Sequence, residues 1–327
     1  MSFITVKHLS KTFKILQRDA GLVNAFKALV RKDYKEIKAV QDISFDIDEG
    51  EIVAYIGPNG AGKSTTIKML CGILNPDDGT ISINGLNPFN NRKRFVSNIG
   101  VVFGQKSQLW WDIPVIDSFE LLKNIYKIPD TEYENTKKEL VKLLNIEDLL
   151  TTPVRQLSLG QRMRCEIAAS LLHNPKILFL DEPTIGLDAI SKVQVRKFIK
   201  EINTKKKVTI ILTSHDMSDI EALTNRIIVI GHGKKLYDGS LNNIKNKFSE
   251  KKKLEILYNK MSKIPDIKEA SIIEKKRNYI LLEVNMKKTT ISDVVRKYSK
   301  VCEINDINVL SESMDDIIIK LYEDYNL

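Results

Sequence analysis

A glycine-rich segment between an apolar run and a helical pattern constrains the fold of this chain more than any other feature. Residues 51–56 are mostly apolar, which predicts a strand buried on both faces of a parallel sheet, and residues 64–70 have a helical pattern. The glycines between them allow a tight turn that aims backbone N–H groups at phosphate oxygens. This segment, the phosphate loop, consists of Gly57, Pro58, Asn59, Gly60, Ala61, Gly62, Lys63 and Ser64, with Thr65 next in the predicted site.

Two side chains of the phosphate loop add chemistry to its backbone. Lys63 is expected to neutralise the outer phosphates of a nucleotide, and Ser64 is expected to ligate Mg²⁺. A glycine-rich turn can match this pattern by chance, but the strand before it and the helix after it are the context that the motif requires. The sequence therefore predicts a nucleotide-binding protein.

A second motif places two carboxylates at the end of a predicted strand. Residues 177–180 form an apolar run that ends at Asp181 and Glu182. Open α/β sheets bind ligands at the carboxyl ends of their strands. Asp181 is predicted to hold Mg²⁺, directly or through water, and Glu182 to polarise an attacking water molecule. In the other interpretation, both carboxylates only cap the helix near Asp188.

Composition narrows the classes of protein that fit these motifs. The 327 residues carry a formal net charge of +9, but lysines are mixed with acids along most of the chain. No aromatic residues interleave with the lysine clusters at 205–207 and 251–253, so nucleic acid is not an expected partner. No apolar stretch approaches the ~20 residues needed to cross a bilayer, and the start lacks a secretory pattern. The chain is therefore expected to stay in the cytoplasm.

The order of predicted elements indicates the fold class. Strands that alternate with helices predict an α/β fold with a mainly parallel, right-handed sheet, and residues 115–173 are predicted to be mostly helical. Residues 80–84 and 98–103 are expected to form a strand pair, and a small α+β appendix is expected from residue 241 onwards. The other predicted strands are residues 3–7, 43–47, 176–180, 208–212, 226–230, 254–258, 270–274 and 279–284, and the late helices are residues 291–298 and 314–325.

Residues 22–38 have a basic amphipathic pattern. Their apolar positions recur at helical spacing while lysines and an arginine fill the other side, which predicts an inserted helix. The helix either packs on its own domain with its lysines in water or meets anionic headgroups with its cationic side. The apolar positions are Leu22, Val23, Phe26, Leu29, Val30, Tyr34 and Ile37, and the basic positions are Lys27, Arg31, Lys32, Lys35 and Lys38.

A third motif gives the chain a family resemblance. The motif, about twenty residues before Asp181, reads Leu157, Ser158, Leu159, Gly160 and Gln161. Alone it would be an ordinary serine helix cap, although Ser158 and the Gly160 backbone also form an anion site at a helix start. In order and spacing with the other two motifs, it resembles the Leu-Ser-Gly-Gly-Gln signature of the ATP-binding cassette (ABC) ATPases. Leu159 stands in place of a glycine.

The resemblance, which covers residues 4–239, implies a fold and an activity. It implies a P-loop NTPase with an N-terminal antiparallel β subdomain and an inserted helical subdomain, which hydrolyses ATP with Mg²⁺ between two cassettes facing head to tail. The implied catalytic residues are Glu182, His215, Gln105 and Lys63, and the implied Mg²⁺ ligands are Ser64, Gln105 and Asp181. The implied nucleotide-binding residues include the phosphate loop and Thr65. Phe13 would stack on adenine, and Asp188 would communicate between the paired sites. Ser158, Gly160 and Gln161 would bind the nucleotide across the dimer.

The resemblance also implies a partner. The commonest partner in the family is a polytopic membrane permease, and Trp110 and Trp111 lie where the family's cassettes receive it. These rings form either a docking groove or part of the core. The layout resembles the ATPases of bacterial drug and antibiotic exporters of the daunorubicin-resistance type. We therefore expect an exporter subunit, a homodimer or heterodimer, held at the cytoplasmic face of the membrane by its permease. The alternative is a soluble ABC ATPase that acts in macromolecular assembly or repair.

The expected domain organisation follows from the same resemblance. Residues 1–240 are expected to form the nucleotide-binding domain, with a helical subdomain at about 106–173 and the basic insertion at about 22–38. Residues 241–327 are expected to form a small accessory domain.

Overall fold

The computed structural model describes residues 2–16, 34–104, 106–248, 251–265, 267–310 and 313–325. The chain divides into two compact units, Met1–Asp238 and Gly239–Leu327. Among the described residues, no helix combines the length and the apolar character needed to span a bilayer.

The strands of the first unit form two sheets. In chain order they are β1 (Ile4–Leu16), β2 (Tyr34–Ile47), β3 (Ile52–Ile56), β4 (Asp78–Ile83), β5 (Ile99–Phe103), β6 (Ile177–Asp181), β7 (Thr209–Thr213), β8 (Arg226–Gly231) and β9 (Lys234–Ser240). Within the described ranges, six of them form a large sheet in the order β5-β6-β7-β3-β8-β9, in which neighbours from β5 to β8 are parallel. In the small sheet, β1 lies between β2 and β4 and pairs antiparallel with both. The predicted α/β class with a mainly parallel sheet is confirmed.

The central strands of the large sheet have continuous apolar sequences because both of their faces are buried. Every residue of β7 is buried, and so are the first four of β6. This is the environment that a parallel sheet gives its strands. Asp181 and Thr213 are the last residues of β6 and β7, so both lie at the carboxyl ends of these buried strands.

Helices connect these strands. They are α1 (Lys63–Leu70), α2 (Arg92–Val96), α3 (Val115–Tyr126), α4 (Asp130–Leu144), α5 (Leu159–Leu171), α6 (Ala189–Lys206) and α7 (Met217–Leu223). The prediction that residues 115–173 are mostly helical is confirmed by α3, α4 and α5. The predicted pairing of residues 80–84 with 98–103 is wrong, since β4 pairs with β1 and β5 pairs with β6.

The basic amphipathic pattern is interrupted by a strand. Residues 34–38 belong to β2, where Tyr34 lies opposite Leu16 and Ile37 lies opposite Phe13. The helix prediction is therefore wrong for these five residues. Their backbone groups bond to the neighbouring strand, and tertiary pairing of this kind overrides an apolar spacing that also fits a helix. Residues 22–33 of the predicted helix lie outside the described residues.

The second unit is a small α+β structure. Its strands are β10 (Lys251–Met261), β11 (Ala270–Lys276), β12 (Tyr279–Asn285) and β13 (Cys302–Leu310), and its helices are α8 (Leu241–Phe248), α9 (Ile291–Ser299) and α10 (Met314–Asp324). The strands form an antiparallel sheet in the order β11-β12-β10-β13. Leu254, Ile280 and Tyr298 are part of its buried core. The sequence did not predict β13, which is mostly exposed and lacks a clear apolar alternation.

Candidate nucleotide-binding site

The phosphate loop lies so close to neighbouring strands that it has no room for side chains at two of its glycines. A Cβ atom at Gly57 would lie 2.5 Å from the carbonyl oxygen of Ile230 in β8. A Cβ atom at Gly62 would overlap the carbonyl oxygen of Ala39 in β2, and Gly62 has a φ angle of +102°, in a region that L side chains disfavour. These glycines are therefore required by packing as well as by the turn.

The start of α1 offers backbone donors to an anion. Helix α1 begins at Lys63, and its first α-helical bond runs from the Thr66 N–H to the Gly62 oxygen, at 2.9 Å. A helix leaves its first N–H groups without partners of its own, and Gly62 has no side chain to cap them. The N–H groups of Lys63, Ser64 and Thr65 are thus placed to bind phosphate at the positive end of the helix dipole.

Lys63 is folded back over the phosphate loop. Its side chain is 7% exposed, and its ammonium donates hydrogen bonds to the carbonyl oxygens of Gly57 at 2.6 Å and Pro58 at 3.1 Å. Burial lowers the pKa of Lys63, and the negative charges of Glu182 and Asp181 oppose that shift. The lysine is therefore a buried cation held in the loop and facing two carboxylates.

The threonine at the end of β7 organises the acidic pair. Asp181 lies opposite Thr213 in the parallel register of β6 and β7. The Thr213 hydroxyl donates to Asp181 Oδ1 at 2.6 Å and accepts from the Glu182 N–H at 3.1 Å. One hydroxyl thus fixes both the carboxylate of Asp181 and the backbone of Glu182. Thr213 is not among the predicted site residues, although its position at the carboxyl end of a buried strand is a sequence signal for it.

Glu182 and His215 are brought together at the same edge of the sheet. His215 Nε2 lies 2.9 Å from Glu182 Oε1, and the two side chains are 45% and 21% exposed. Glu182 has a φ angle of 57°, in the left-handed region. This conformation turns the chain sharply away from β6. The alternative in which Asp181 and Glu182 only cap a helix does not fit these partners, since Asp188 caps α6.

A cavity of about 290 Å³ lies between the phosphate loop and the acidic pair. Its lining brings together Ser64, Asp181 and Glu182, which the sequence predicted, and adds two lysines and a phenylalanine that it did not predict. The full lining is Ser64, Lys68, Ile73, Phe103, Gly104, Lys106, Asp181 and Glu182. Hydroxyl and carboxylate oxygens therefore share this cavity with two lysines, and its volume is close to that of the smallest ligand sites in proteins.

The signature motif forms the start of α5. The Gln161 N–H donates to the Ser158 hydroxyl at 3.2 Å, and the Ser158 N–H donates to Gln161 Oε1 at 2.8 Å, which is a capping box. Ser158 is exposed. The motif contacts the loop of Asp188, because a Cβ atom at Gly160 would lie 2.9 Å from the Ser191 Cβ atom.

The leucine that replaces a glycine in the signature fits a space left by another glycine. A Cβ atom at Gly186 would lie 2.8 Å from Leu159 Cδ2, and Gly186 has a φ angle of +70°. Asp188 accepts hydrogen bonds from the Ser191 N–H at 2.9 Å and the Ser191 hydroxyl at 2.7 Å. These bonds lower the pKa of Asp188. The signature and the Asp188 loop therefore form one packed surface.

The remaining predicted residues lie elsewhere. Phe13 lies in β1, is 37% exposed and has the Lys11 ammonium 5.9 Å from its ring centre. Gln105 lies outside the described residues. The N–H of Gly104, the residue before it, donates a hydrogen bond to the backbone carbonyl oxygen of Asp181 at 2.8 Å. Neither Phe13 nor the signature motif is among the described residues that line the cavity.

The two tryptophans are on the surface. Trp110 and Trp111 are 41% and 51% exposed, whereas Leu109 beside them is buried. Exposures of this size do not fit the core interpretation. Leu121 and Ile125 on α3 are also exposed, at 41% and 62%.

Taken with the parallel sheet and the phosphate loop, the site defines the class of protein, a P-loop ATPase.

Sequence comparison identifies the family. The family described as ABC transporter matches residues 40–185. The chain is 32% identical over 230 residues to the ABC transporter ATP-binding protein NatA of Bacillus subtilis, which covers 70% of this chain and 92% of NatA. The chain therefore belongs to the ATP-binding proteins of ABC transporters, and it is an ABC ATPase.

Relatives with named cargo include a transport protein for bacitracin and an import protein for methionine. The chain is 33% identical to the bacitracin transport ATP-binding protein BcrA of Bacillus licheniformis, over 66% of this chain and 69% of BcrA. It is 29% identical to the methionine import ATP-binding protein MetN of Lactobacillus delbrueckii subsp. bulgaricus, over 75% of this chain and 67% of MetN. Membership of the family leaves the direction of transport open.

Solved structures share the fold. A dimeric, post-hydrolysis state of the ATP-binding cassette MJ0796 bound to ADP and Pi matches with a TM-score of 0.60 and 26% identity, and covers 73% of this chain and 98% of that one. CbiO1 from Clostridium perfringens, part of the ABC transporter complex cbiONQ, also matches with a TM-score of 0.60 and 26% identity, and covers 75% of this chain and 94% of that one. The predicted P-loop fold and the predicted ATPase activity are thus confirmed.

The contact between Gly160 and Ser191 predicts a steric effect that can be relieved. We expect Gly160→Ala to destabilise the protein by about 1–3 kcal/mol, because a new methyl group would overlap the Ser191 side chain. Ser191→Gly removes that side chain and should restore most of the loss in the double variant. Urea unfolding of the four proteins measures the coupling. Equal losses for Gly160→Ala with and without Ser191→Gly would contradict the contact.

The hydroxyl of Thr213 predicts a combined loss of stability and activity. Thr213→Val should destabilise the protein by about 1–3 kcal/mol, because Asp181 loses a buried donor. It should also lower the rate of ATP hydrolysis. Thr209→Val is the matched control, since its hydroxyl accepts from the Gly50 N–H at 2.9 Å at the other end of β7. If both variants hydrolyse ATP equally well, Thr213 has no special role at the site.

Proposed function

We propose that this chain is the ATPase of an exporter, in which ATP closes two cassettes on each other and thereby drives a separate membrane permease. The observation that carries the proposal is the meeting of the phosphate loop, the pair Asp181 and Glu182, and His215 at one edge of the large sheet. Each has a contact that suits its part. Lys63 bonds to the loop, the Thr213 hydroxyl joins the Asp181 carboxylate to the Glu182 backbone N–H, and His215 contacts the Glu182 carboxylate.

The residues of the site suit in-line attack of water on the γ-phosphate. The water oxygen forms a bond to phosphorus while the bond to the bridging oxygen of ADP breaks, and the water proton passes to Glu182. Glu182 is suited to act as the base because Thr213 fixes its backbone and His215 holds its carboxylate. Lys63 balances the charge of the outer phosphates, and we assign to His215 a contact with the terminal phosphate.

The donor set at the cavity fits Mg²⁺. Ser64 and Asp181 both line it and offer the oxygen ligands that this ion prefers. Among the described residues, there is no group of at least three His, Cys, Asp or Glu side chains that could hold a metal ion. That suits an ion that takes its other ligands from phosphates and water. When bound, Mg²⁺ neutralises charge on the phosphate oxygens. Gln105, outside the described residues, stays a proposed further ligand.

The role of Glu182 can be tested directly. We expect Glu182→Gln to lower the rate of phosphate release by roughly 100-fold or more, because the amide cannot accept the water proton. Its affinity for ATP should stay close to that of the parent, since the phosphate loop is unchanged. Phosphate release and equilibrium binding of ATP measure the two quantities. Glu147→Gln, at an exposed glutamate of the helical region, is the control. Near-normal turnover by Glu182→Gln would rule out Glu182 as the base.

We propose a second copy of this chain as the partner across the nucleotide. Ser158 is exposed, and Ile185, Ile190 and Val193 around the Asp188 loop are 42%, 73% and 61% exposed. Burial of such apolar side chains favours association. The dimeric state of MJ0796 supports this arrangement. In the same Glu182→Gln experiment, size-exclusion chromatography with ATP should show a dimer, and a monomer at saturating ATP would oppose the model.

A permease is the proposed partner at the other surface. Trp110 and Trp111 are exposed, as are Leu121 and Ile125 on α3, and aromatic residues dominate contacts between proteins. The place of CbiO1 in a transporter complex supports the proposal. Through this contact we place the chain at the cytoplasmic face of the membrane. Residues 1–240 would act as the cassette and residues 241–327 as an accessory domain.

The tryptophan surface predicts which variant loses the partner. Purified with ATP from native membranes in mild detergent, the Glu182→Gln protein should bring down a polytopic membrane protein. Adding Trp110→Ala and Trp111→Ala should reduce its recovery by roughly tenfold, because such residues are hot spots of interfaces. Tyr325→Ala, which removes a 50% exposed ring from the second unit, is the control. Recovery of soluble partners or ribosomes alone would support the non-transport alternative.

Export is the proposed direction because the layout of the chain resembles that of drug exporters and BcrA is a bacitracin transport protein. The similarity to MetN shows why this needs its own measurement. Once the permease is identified, ATP-driven uptake into inverted membrane vesicles would support export. Uptake only into right-side-out vesicles would support import.

A further inference from the structure

The signature helix contains a buried carboxylate that has no part in the proposed hydrolysis step. Glu166 lies in α5, eight residues after Ser158, or about 12 Å along the helix axis at 1.5 Å per residue. It is 4% exposed. Burial raises the pKa of Glu166, and hydrogen bonds from Ser107 and from the Gln108 backbone oppose that shift. A buried carboxylate is costly without such donors.

The partners of Glu166 come from one short segment. The Ser107 hydroxyl donates to Glu166 Oε1, and the Gln108 N–H donates to Glu166 Oε2 at 3.1 Å. The Gln108 side-chain amide donates to the Glu166 carbonyl oxygen at 2.8 Å. Both carboxylate oxygens and the backbone of α5 are therefore bonded to residues 107–108. We call residues 107–111 the tryptophan segment.

A second contact joins the other end of the tryptophan segment to the same helix. The guanidinium carbon of Arg162 lies 5.5 Å from the ring centre of Trp111. Arg162 and Glu166 are four residues apart and therefore share one face of α5. The signature helix thus holds the tryptophan segment at both ends.

The tryptophan segment connects the cavity with the exposed aromatic surface. Lys106, directly before it, lines the cavity, and Trp110 and Trp111 end it on the surface. If α5 moved without the segment, Glu166 would lose its hydroxyl and amide donors while still buried. That penalty favours movement of the two as a unit.

We propose that Glu166 is a positioning residue that fastens the tryptophan segment to the signature helix, so that engagement of the signature with ATP displaces the surface of Trp110 and Trp111. The inference rests on the proposed function, in which the signature binds nucleotide across a dimer. It adds the link by which that event reaches the proposed permease surface. Glu166 acts through Ser107 and Gln108 and has no part in the chemical step.

The chain contains its own reporter for this link, since its two tryptophans are Trp110 and Trp111. The test uses the full-length Glu182→Gln protein, which we expect to bind ATP without hydrolysing it, and measures tryptophan emission as Mg²⁺ and ATP are added. We expect ATP to change the emission of this parent. Adding Glu166→Ala should reduce the amplitude of the change by roughly tenfold, a typical size for coupling between sites, while ATP affinity stays within about threefold.

Two further variants separate positioning from folding. Glu166→Gln keeps the size of the side chain but replaces one acceptor oxygen with an NH₂ group, so it should give an intermediate amplitude even if Glu166→Ala fails to fold. Ser107→Ala removes one donor and should act in the same direction. Glu147→Gln changes an exposed glutamate and should leave the amplitude unchanged. If the role of Glu166 is purely structural, its substitution should lower the midpoint of thermal unfolding and leave the amplitude of the emission change at low temperature intact.

The outcomes distinguish this inference from the function on which it rests. A parent that binds ATP without a change in emission would overturn the inference alone. So would folded Glu166→Gln and Ser107→Ala variants that both keep the full change. A parent that binds no ATP would overturn the proposed function and the inference with it. Reduced amplitudes with normal ATP binding and an unchanged Glu147→Gln control would support both.

Discussion

The close approach of the phosphate loop to two strands is the constraint on which the rest of the first unit depends. Gly57 lies against Ile230 of the large sheet, and Gly62 lies against Ala39 of the small sheet. The same region is tied by a hydrogen bond from the Gln41 N–H to the Gly233 oxygen, at 2.7 Å. Because backbone meets backbone at these points, the loop has little freedom to open. The position of the first turn of α1 relative to both sheets is fixed as a result.

Charge and hydrogen bonding then place the reactive groups around this loop. Lys63 is buried, and the carboxylates of Asp181 and Glu182 favour its charged form against the effect of burial. Thr213 holds the backbone of one carboxylate residue and the side chain of the other. A site assembled in this way keeps its dipoles oriented before a nucleotide arrives, which is the condition for electrostatic stabilisation of a transition state. The parallel register of β6 and β7 places the Thr213 hydroxyl within reach of both residues.

Sequence reasoning succeeded where one local pattern has one structural meaning. Buried parallel strands appear as apolar runs, and so the strands that end at Asp181 and Thr213 were predicted within one or two residues. It failed where tertiary pairing decides, as for residues 34–38, whose apolar spacing fits a helix but whose backbone pairs with β1. Glu166 was missed for a related reason. Its importance depends on partners that are distant in the chain, which no local spacing reveals.

The left-handed backbone of Glu182 sets the stability of the backbone against the presence of a carboxylate at the site. A residue with a Cβ atom at a φ angle of 57° carries a cost of about 1–2 kcal/mol that glycine would avoid. A glycine at this position would therefore relieve the backbone and delete the carboxylate that His215 contacts. Under the proposed function, replacing Glu182 with glycine would therefore trade catalysis for backbone stability at this one residue.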